Sequence, residues 1–94
     1  MTESVLQARV IKYLKGRGCY VIKIKPGTGT PVGCPDVFAF TGGLWLAIEC
    51  KASEKAKFGN LQPETIKLLD SWSWCKAVYP ENWAEIKAEL DEMI

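Results

Sequence analysis

The chain has 94 residues and a nearly balanced charge, with 12 basic and 11 acidic side chains and a net charge of +1. This length predicts a single domain over residues 1–94, and an apolar share of 48% is typical of a globular fold rather than a disordered segment. Histidine is absent, which excludes histidine-based acid–base catalysis and histidine metal ligands. A charge this close to neutral excludes a uniformly basic nucleic-acid coat, so any nucleic-acid contact depends on where individual lysines lie.

Neither a membrane span nor a secretory signal is visible in the sequence. We therefore expect an intracellular, cytoplasmic protein with no membrane partner. The cysteines contain no Cys-x-x-Cys pair, which disfavours a zinc site and indicates free thiols in a reducing compartment. They are Cys19, Cys34, Cys50 and Cys75.

The first predicted element is an amphipathic helix that ends within 16–18, where two glycines lie. Its apolar stripe comprises Leu6, Val10, Tyr13 and Leu14. Thr2 or Ser4 is suited to cap the helix, and Ser4 with Gln7 fits a capping box. Glu3 lies in the first turn, where a carboxylate is favourable for electrostatic reasons alone.

A strand is predicted over 19–25, followed by a loop over 26–35 that is rich in glycine and proline. Lys23 and Lys25 lie two residues apart and project the same way, either as phosphate contacts or as a solvated strand face. The loop is neither a Walker A nor a Rossmann motif, since no Gly-Lys-Ser/Thr follows and it leads into a strand. Its N–H groups and the hydroxyls of Thr28 and Thr30 are suited to hold a phosphate, while a flexible connector is the alternative. Its length and its place before Asp36 favour a loop that faces the substrate.

The stretch over 34–51 reads as two apolar strands joined by a Gly-Gly turn at 42–43, which requires positive φ at both glycines. Side chains alternate across a strand, so Glu49 and Lys51 share one face and Cys50 points to the other. Antiparallel pairing returns Asp36 to the end that carries Glu49 and Lys51. Two carboxylates and an ammonium are therefore predicted to meet at one end of the hairpin.

Two neighbouring carboxylates repel each other unless they are protonated or bridged by a cation. Their oxygens suit Mg²⁺ or Mn²⁺, so we expect Asp36 and Glu49 to be metal ligands together with the backbone carbonyl of Cys50. Lys51 is suited to orient or deprotonate a water for in-line attack on phosphorus. The alternative is a buried ion pair that closes a strand end and has no catalytic role.

The segment after this hairpin carries Lys55 and Lys57, as a basic loop along a phosphate backbone or as an ordinary solvated turn. Asn60 is predicted to cap a second helix, which places Gln62 in the first turn. The inward residues of this helix are expected to be Ile66, Leu69 and Trp72.

A last strand over 74–79 and a final helix from Pro80 or Asn82 complete the chain. The stripe of the final helix comprises Trp83, Ile86, Leu90 and Met93 or Ile94, and its acidic outer face is unsuited to DNA. The four tryptophans are expected to pack in the core or at a dimer interface rather than to stack on bases. The element order predicts an α/β domain with a central mixed sheet of about four strands flanked by helices.

The motifs Gly33-x-Pro35-Asp36 and Glu49-x-Lys51 resemble the Pro-Asp…(Asp/Glu)-x-Lys signature of the restriction-endonuclease-like nucleases. The Gly-x-Pro-Asp form, a glutamate near the start of the first helix and a glutamine after the Glu-x-Lys strand are similar to the virus-type replication-repair (VRR-NUC) branch. The resemblance covers most of the chain, from Glu3 through Gln62 to the last strand and helix.

The resemblance implies the restriction-endonuclease-like core, αβββαβ plus a C-terminal helix, and a divalent-metal-dependent endonuclease that hydrolyses phosphodiester bonds in DNA. It also implies that Glu3 reaches the metal or a metal-bound water, and that Gln62 helps to hold the nucleophilic water or a phosphate. So small a domain has little surface to grip a duplex, and we expect a homodimer that prefers branched DNA such as Holliday junctions. The alternative is a non-catalytic DNA-binding or assembly module that retains the fold, although the presence of Asp36, Glu49 and Lys51 speaks against it.

Overall fold

The computed structural model describes residues 1–27 and 29–94. Its elements are α1 (Glu3–Gly16), β1 (Tyr20–Lys23), β2 (Val37–Thr41), β3 (Leu44–Cys50), α2 (Gln62–Trp72), β4 (Trp74–Val78) and α3 (Trp83–Met93). This order is the predicted αβββαβ core followed by a C-terminal helix. No helix within the described residues combines the length and the apolarity needed to cross a bilayer.

The four strands form one sheet in the order β1-β2-β3-β4. The pairs β1–β2 and β2–β3 are antiparallel, whereas β3 and β4 are parallel. Parallel neighbours need a crossover connection, and α2 supplies it between β3 and β4. The predicted mixed sheet is thereby confirmed.

The β2–β3 hairpin brings distant parts of the chain together at its open end. Its turn glycines, Gly42 and Gly43, have φ values of 51° and 88°, the positive pair that a tight two-residue turn requires. The register pairs Val37 with Ile48. Asp36, one residue before this pair, therefore lies opposite the strand position of Glu49.

The hydrophobic core lies between one face of the sheet and the helices α1 and α3. Its buried side chains include Leu6, Val10 and Leu14 from α1, Val37, Ala39, Leu46, Ile48 and Cys50 from the sheet, and Trp83, Ile86 and Leu90 from α3. Each fully buried aliphatic side chain of this kind contributes about 1.5–3 kcal/mol. The core holds the hairpin rigidly from one side, and Cys50 points into it, as the alternation predicted.

The opposite face of β1 and β2 is largely uncovered. Tyr20 is 71% exposed, and Ile22 and Phe40 are also exposed, although all three are large and apolar. Tyr20 and Phe40 are direct partners across the two strands, so these side chains form one patch. We call Tyr20, Ile22 and Phe40 the sheet patch.

Of the two predicted caps of α1 the structure uses Thr2, whereas β1 ends earlier than predicted. Thr2, not a Ser4–Gln7 capping box, caps α1, because its hydroxyl accepts from the N–H of Val5 at 3.2 Å. Strand β1 ends at Lys23 rather than at residue 25, since the N–H of Ile24 makes one last bond to the carbonyl of Asp36 and Pro26 cannot donate another.

Helix α2 begins without Asn60 as its cap, so that prediction was wrong. Leu61 occupies the cap position in the left-handed region, with φ of 63° and no side-chain capping bond. Trp72 is 67% exposed rather than turned inward. Ile66 and Leu69 are only half-buried, and α2 packs on β4, the edge strand of the sheet.

Candidate active site

A cavity of about 660 Å³ opens at the end of the β2–β3 hairpin, between the loop that precedes β2 and the loop that follows β3. Its charged and amide-bearing lining residues are Glu3, Asp36, Glu49, Lys51, Lys57 and Gln62. These residues come from three separate stretches of the sequence. The predicted convergence of residue 36 with 49 and 51 is therefore observed.

Glu49 and Lys51 form the buried part of this cavity wall. Glu49 is 3% exposed and Lys51 is 8% exposed, although both carry ionisable side chains. The Nζ of Lys51 lies 3.5 Å from Oε2 of Glu49. The N–H of Lys51 donates to the carbonyl of Val78 at 2.8 Å, which continues the β3–β4 pairing and fixes the backbone below the ammonium.

Asp36 is held at the same end of the sheet by a hydrogen bond to the backbone of β3. Its Oδ2 accepts from the N–H of Cys50 at 3.0 Å. Burial raises the pKa of Asp36, while the Cys50 N–H and the Lys51 ammonium oppose that rise. The carboxylate is therefore anchored in a place where its charge is poorly solvated.

Glu49 is more strongly perturbed. Burial, and then the charge of Asp36, raise its pKa to about 7, and Lys51 offsets only part of the rise. Its Oε1 is buried and has no hydrogen-bond partner among the described residues. An unpaired buried acceptor costs about 1–3 kcal/mol, so this atom is poised to accept a ligand that the protein itself does not supply.

Lys51 is held by a set of oxygen acceptors. Its ammonium donates to Oε1 of Gln62 at 2.9 Å and to the carbonyl of Lys57 at 3.2 Å. Oε1 of Gln62 also accepts from the N–H of Gly59 at 2.6 Å. Gln62 thus joins the start of α2, the preceding loop and the lysine.

The remaining predicted residues divide between the cavity and its surroundings. Glu3 is exposed and lines the cavity from the first turn of α1. Thr30 also lines it, although its hydroxyl donates to the carbonyl of Lys25 at 2.8 Å. Lys25 and Lys55 are exposed and do not line this cavity. Thr28 lies outside the described residues.

Lys23 lies in a neighbouring groove between α1 and β1 that also contains Gln7, Lys12 and Lys15. The sequence analysis missed these α1 residues as site candidates. Gln7 lies close enough to Asp36 to lower the pKa of that carboxyl. Its position one helical turn after Glu3 was the available signal, because residues four apart share a helix face.

The donor set can be tested against a divalent cation. No three histidine, cysteine, aspartate or glutamate side chains come together as a metal-binding group within the described residues. The cavity nevertheless contains the carboxylates of Asp36 and Glu49, and Oε1 of Glu49 has no hydrogen-bond partner among the described residues. Mg²⁺ is commonly held by one or two carboxylates, with water and substrate completing its shell. The pair therefore fits a hard divalent cation that keeps an incomplete protein shell.

Comparison with known proteins identifies the family of this chain. The family model for the archaeal Holliday junction resolvase, Hjc, matches residues 6–93. The crossover junction endodeoxyribonuclease Hje of Saccharolobus solfataricus is 31% identical over 64 residues, and that of Sulfolobus acidocaldarius is 30% identical over 64 residues. These matches cover 68% of this chain but 47% and 46% of the relatives, so the chain spans about half the length of the curated relatives it matches.

A solved structure shows the same fold. The structure of Hjc from Archaeoglobus fulgidus, described as a Holliday junction resolvase from an archaeal hyperthermophile, aligns with a TM-score of 0.56 at 18% identity. The alignment covers 82% of this chain and 69% of that chain, which shows a shared restriction-endonuclease-like fold. Because the family model spans nearly the whole sequence, the chain belongs to the archaeal Holliday junction resolvase (Hjc) family, within the restriction-endonuclease-like superfamily.

Proposed function

We propose that the chain is a divalent-metal-dependent endonuclease that hydrolyses phosphodiester bonds in branched or junction DNA. The single observation that carries the proposal is the Asp36–Glu49–Lys51 cluster in an open cavity, in which Glu49 and Lys51 are buried. Burying two charged groups beside the half-buried Asp36 is costly, and a purely structural ion pair would not leave Oε1 of Glu49 unpaired. The names of the Hje relatives, crossover junction endodeoxyribonucleases, support the same substrate class.

Asp36 and Glu49 would hold Mg²⁺ or Mn²⁺, with the backbone carbonyl of Cys50 as a further ligand and Glu3 acting through water. When bound, such a cation supplies positive charge beside the phosphate and lowers the pKa of water. The protein prepares for it by keeping two carboxylates in a poorly solvated place, where each raises the cost of ionising the other.

Lys51 contributes charge at a fixed position. Its ammonium is oriented by Gln62 and by the carbonyl of Lys57, so its position in the cavity wall is fixed before a phosphate binds. A preorganised cation stabilises negative charge that develops on phosphorus far better than a mobile one does. Through the same contact, Gln62 acts as a positioning residue for Lys51, and either group is suited to orient the attacking water.

The surrounding cations favour a polyanionic substrate. Lys57 lines the cavity itself, and Lys23 lines the adjacent groove with Lys12 and Lys15. We propose that a DNA strand runs from the cavity into this groove, so that the lysines contact successive phosphates. The exposed acidic residues of α3 would then face away from the DNA.

We further propose a homodimer, and the sheet patch supports it. Three exposed apolar side chains on adjacent strands form a surface that a second copy would remove from water. A dimer would also present two cavities, which suits a substrate with two equivalent strands to cut. The finer assignment to the VRR-NUC branch stays a prediction from the motif around Asp36, since the matching family model is that of the archaeal resolvases.

The decisive test is cleavage of a synthetic four-way junction and a matched linear duplex in Mg²⁺ or Mn²⁺. The wild type should cut the junction, and Asp36→Asn and Lys51→Ala should each lower the rate by at least about a hundredfold, the size expected for a preorganised charged group. Asp70→Asn is the matched control, because Asp70 forms a partly exposed ion pair with Lys76 outside the cavity. The Asp70→Asn variant should cleave the junction at the wild-type rate.

A non-catalytic DNA-binding module predicts a different pattern. The wild type would then bind the junction but cut nothing at any concentration of either metal, and Asp36→Asn would bind at least as well. That pattern, obtained with protein whose folding is verified by circular dichroism, would refute the endonuclease.

A further inference from the structure

Phe58 is an exposed aromatic residue in the wall of a charged cavity. Its side chain is 44% exposed, and it lines the cavity together with Asp36, Glu49 and Lys51. The Nζ of Lys51 lies 5.0 Å from the centre of the ring. Neither the metal ligands nor the lysine requires an aromatic neighbour, so the proposed phosphodiester chemistry leaves this residue unexplained.

The backbone on both sides of Phe58 is anchored to the site. The carbonyl of Lys57 accepts from the Lys51 ammonium at 3.2 Å, and the N–H of Gly59 donates to Gln62 at 2.6 Å. These two bonds fix the chain immediately before and after the ring. Phe58 is therefore held in place beside the lysine although its side chain faces solvent.

A second exposed apolar side chain lies on the other loop of the cavity. Val32 is 62% exposed and lines the same cavity from the segment that precedes β2. The cavity thus has a charged floor, suited to a phosphate, and apolar groups on both of its loops. A nucleotide has the same division, with a charged phosphate and an apolar base face.

We propose that Phe58 stacks on the exposed face of an unstacked nucleobase next to the phosphate that Lys51 contacts. This inference rests on the proposed function and names what makes that site select branched DNA. In a continuous duplex both faces of a base are covered by neighbouring base pairs, so no face is free for the ring. At a branch point the stacking is interrupted, and an unstacked base can lie on an aromatic side chain, as in single-strand binding proteins.

A merely structural role for Phe58 predicts a different result. If the ring only held Lys51 by its cation–π contact, its loss would slow the cleavage of every substrate by the same factor. If the ring stacks on a branch-point base, its loss weakens binding to the junction but not to the linear duplex. The effect on the junction relative to the effect on the linear duplex therefore separates the two roles. Under the stacking proposal, Phe58→Trp should keep the wild-type preference for the junction over the duplex.

The experiment uses a four-way junction and a linear duplex that each carry 2-aminopurine, placed at the branch point and at the matching position, respectively. Binding and fluorescence are measured in EDTA with the wild type, Phe58→Ala, Phe58→Leu and Phe58→Trp. Base–aromatic stacking corresponds to a loss of about tenfold or more in junction affinity for the alanine and leucine variants, and the leucine variant controls for apolar area without a π-face. The wild type and Phe58→Trp should quench the branch-point probe, whereas the other two variants should not.

Equal quenching by the wild type and Phe58→Ala, or an equal loss of affinity for both substrates, would overturn the stacking proposal. These readings need no cleavage. The endonuclease proposal is judged separately, by whether the wild type cuts the junction after Mn²⁺ is added. A wild type that quenches the probe but never cuts would retain the stacking role and refute the nuclease.

Discussion

Replacing Glu49 by glutamine should stabilise the metal-free protein at neutral and alkaline pH. Glu49 is almost completely buried, and burial together with the charge of Asp36 raises its pKa to about 7 from 4.5. In the unfolded chain the carboxyl returns to its ordinary pKa. Between these two values the folded protein holds a proton that the unfolded chain has released, so folding becomes less favourable as the pH rises.

The difference between the two pKa values sets the direction of the stability change and the pH range in which it appears. Below about pH 4.5 the carboxyl is neutral in both states, and Glu49→Gln should change the free energy of unfolding little. As the pH rises through about 7, the free energy of unfolding of the wild type should fall by about 3 kcal/mol. The two pKa values differ by roughly 2.5 units, and each unit corresponds to about 1.36 kcal/mol. The glutamine is neutral throughout, so by about pH 8 the variant should be the more stable protein by a similar amount.

Urea denaturation in EDTA, at steps between about pH 4 and pH 8, measures this directly. The quantity to plot is the free energy of unfolding of Glu49→Gln minus that of the wild type, because most other titrating groups cancel in the difference. A flat difference across the window would refute the claim that this carboxyl is destabilised by burial. Adding Mn²⁺ at about a hundred times its Kd should return about 2.7 kcal/mol to the wild type and less to the variant, which lacks the charge.

Three further predictions concern the loops and the sheet patch. Gly33→Ala should lower the free energy of unfolding by more than Gly18→Ala, since both glycines have φ of 85° but a Cβ on Gly33 alone would lie 2.8 Å from the carbonyl of Leu61. Equal melting temperatures for the two variants would contradict this close approach. Leu61→Gly should raise the free energy of unfolding by about 1 kcal/mol, because it relieves the left-handed cap at φ of 63°; a loss in urea denaturation would show that packing dominates. Tyr20→Lys should convert the dimer to a monomer, as measured by light scattering, while Val5→Lys on α1 should leave the dimer intact. A wild type that is monomeric at every concentration would refute the dimer.

Local pattern was sufficient to predict the hairpin and the charges it brings together. Alternation places Glu49 and Lys51 on one side of β3, and a Gly-Gly turn of fixed length determines which residue of β2 faces them. Because a hairpin is formed by neighbours in sequence, Asp36 could be placed beside Glu49 without knowledge of any other element. Hydrophobic periodicity predicted the order of the elements, and that order predicted the mixed sheet.

Features that depend on contacts between distant segments could not be predicted in this way. Phe58 lies in a loop without periodicity, and only the folded chain shows that hydrogen bonds to Lys51 and Gln62 hold the backbone beside Phe58. The exposure of Trp72 depends on how α2 packs against β4, and the position of Gln7 near Asp36 depends on the packing of α1 against the sheet. The sequence determined which charged residues share an end of the hairpin, because that is a matter of local geometry. The tertiary structure alone decided how deeply they are buried, since burial is set by helices and loops that pack from elsewhere in the chain.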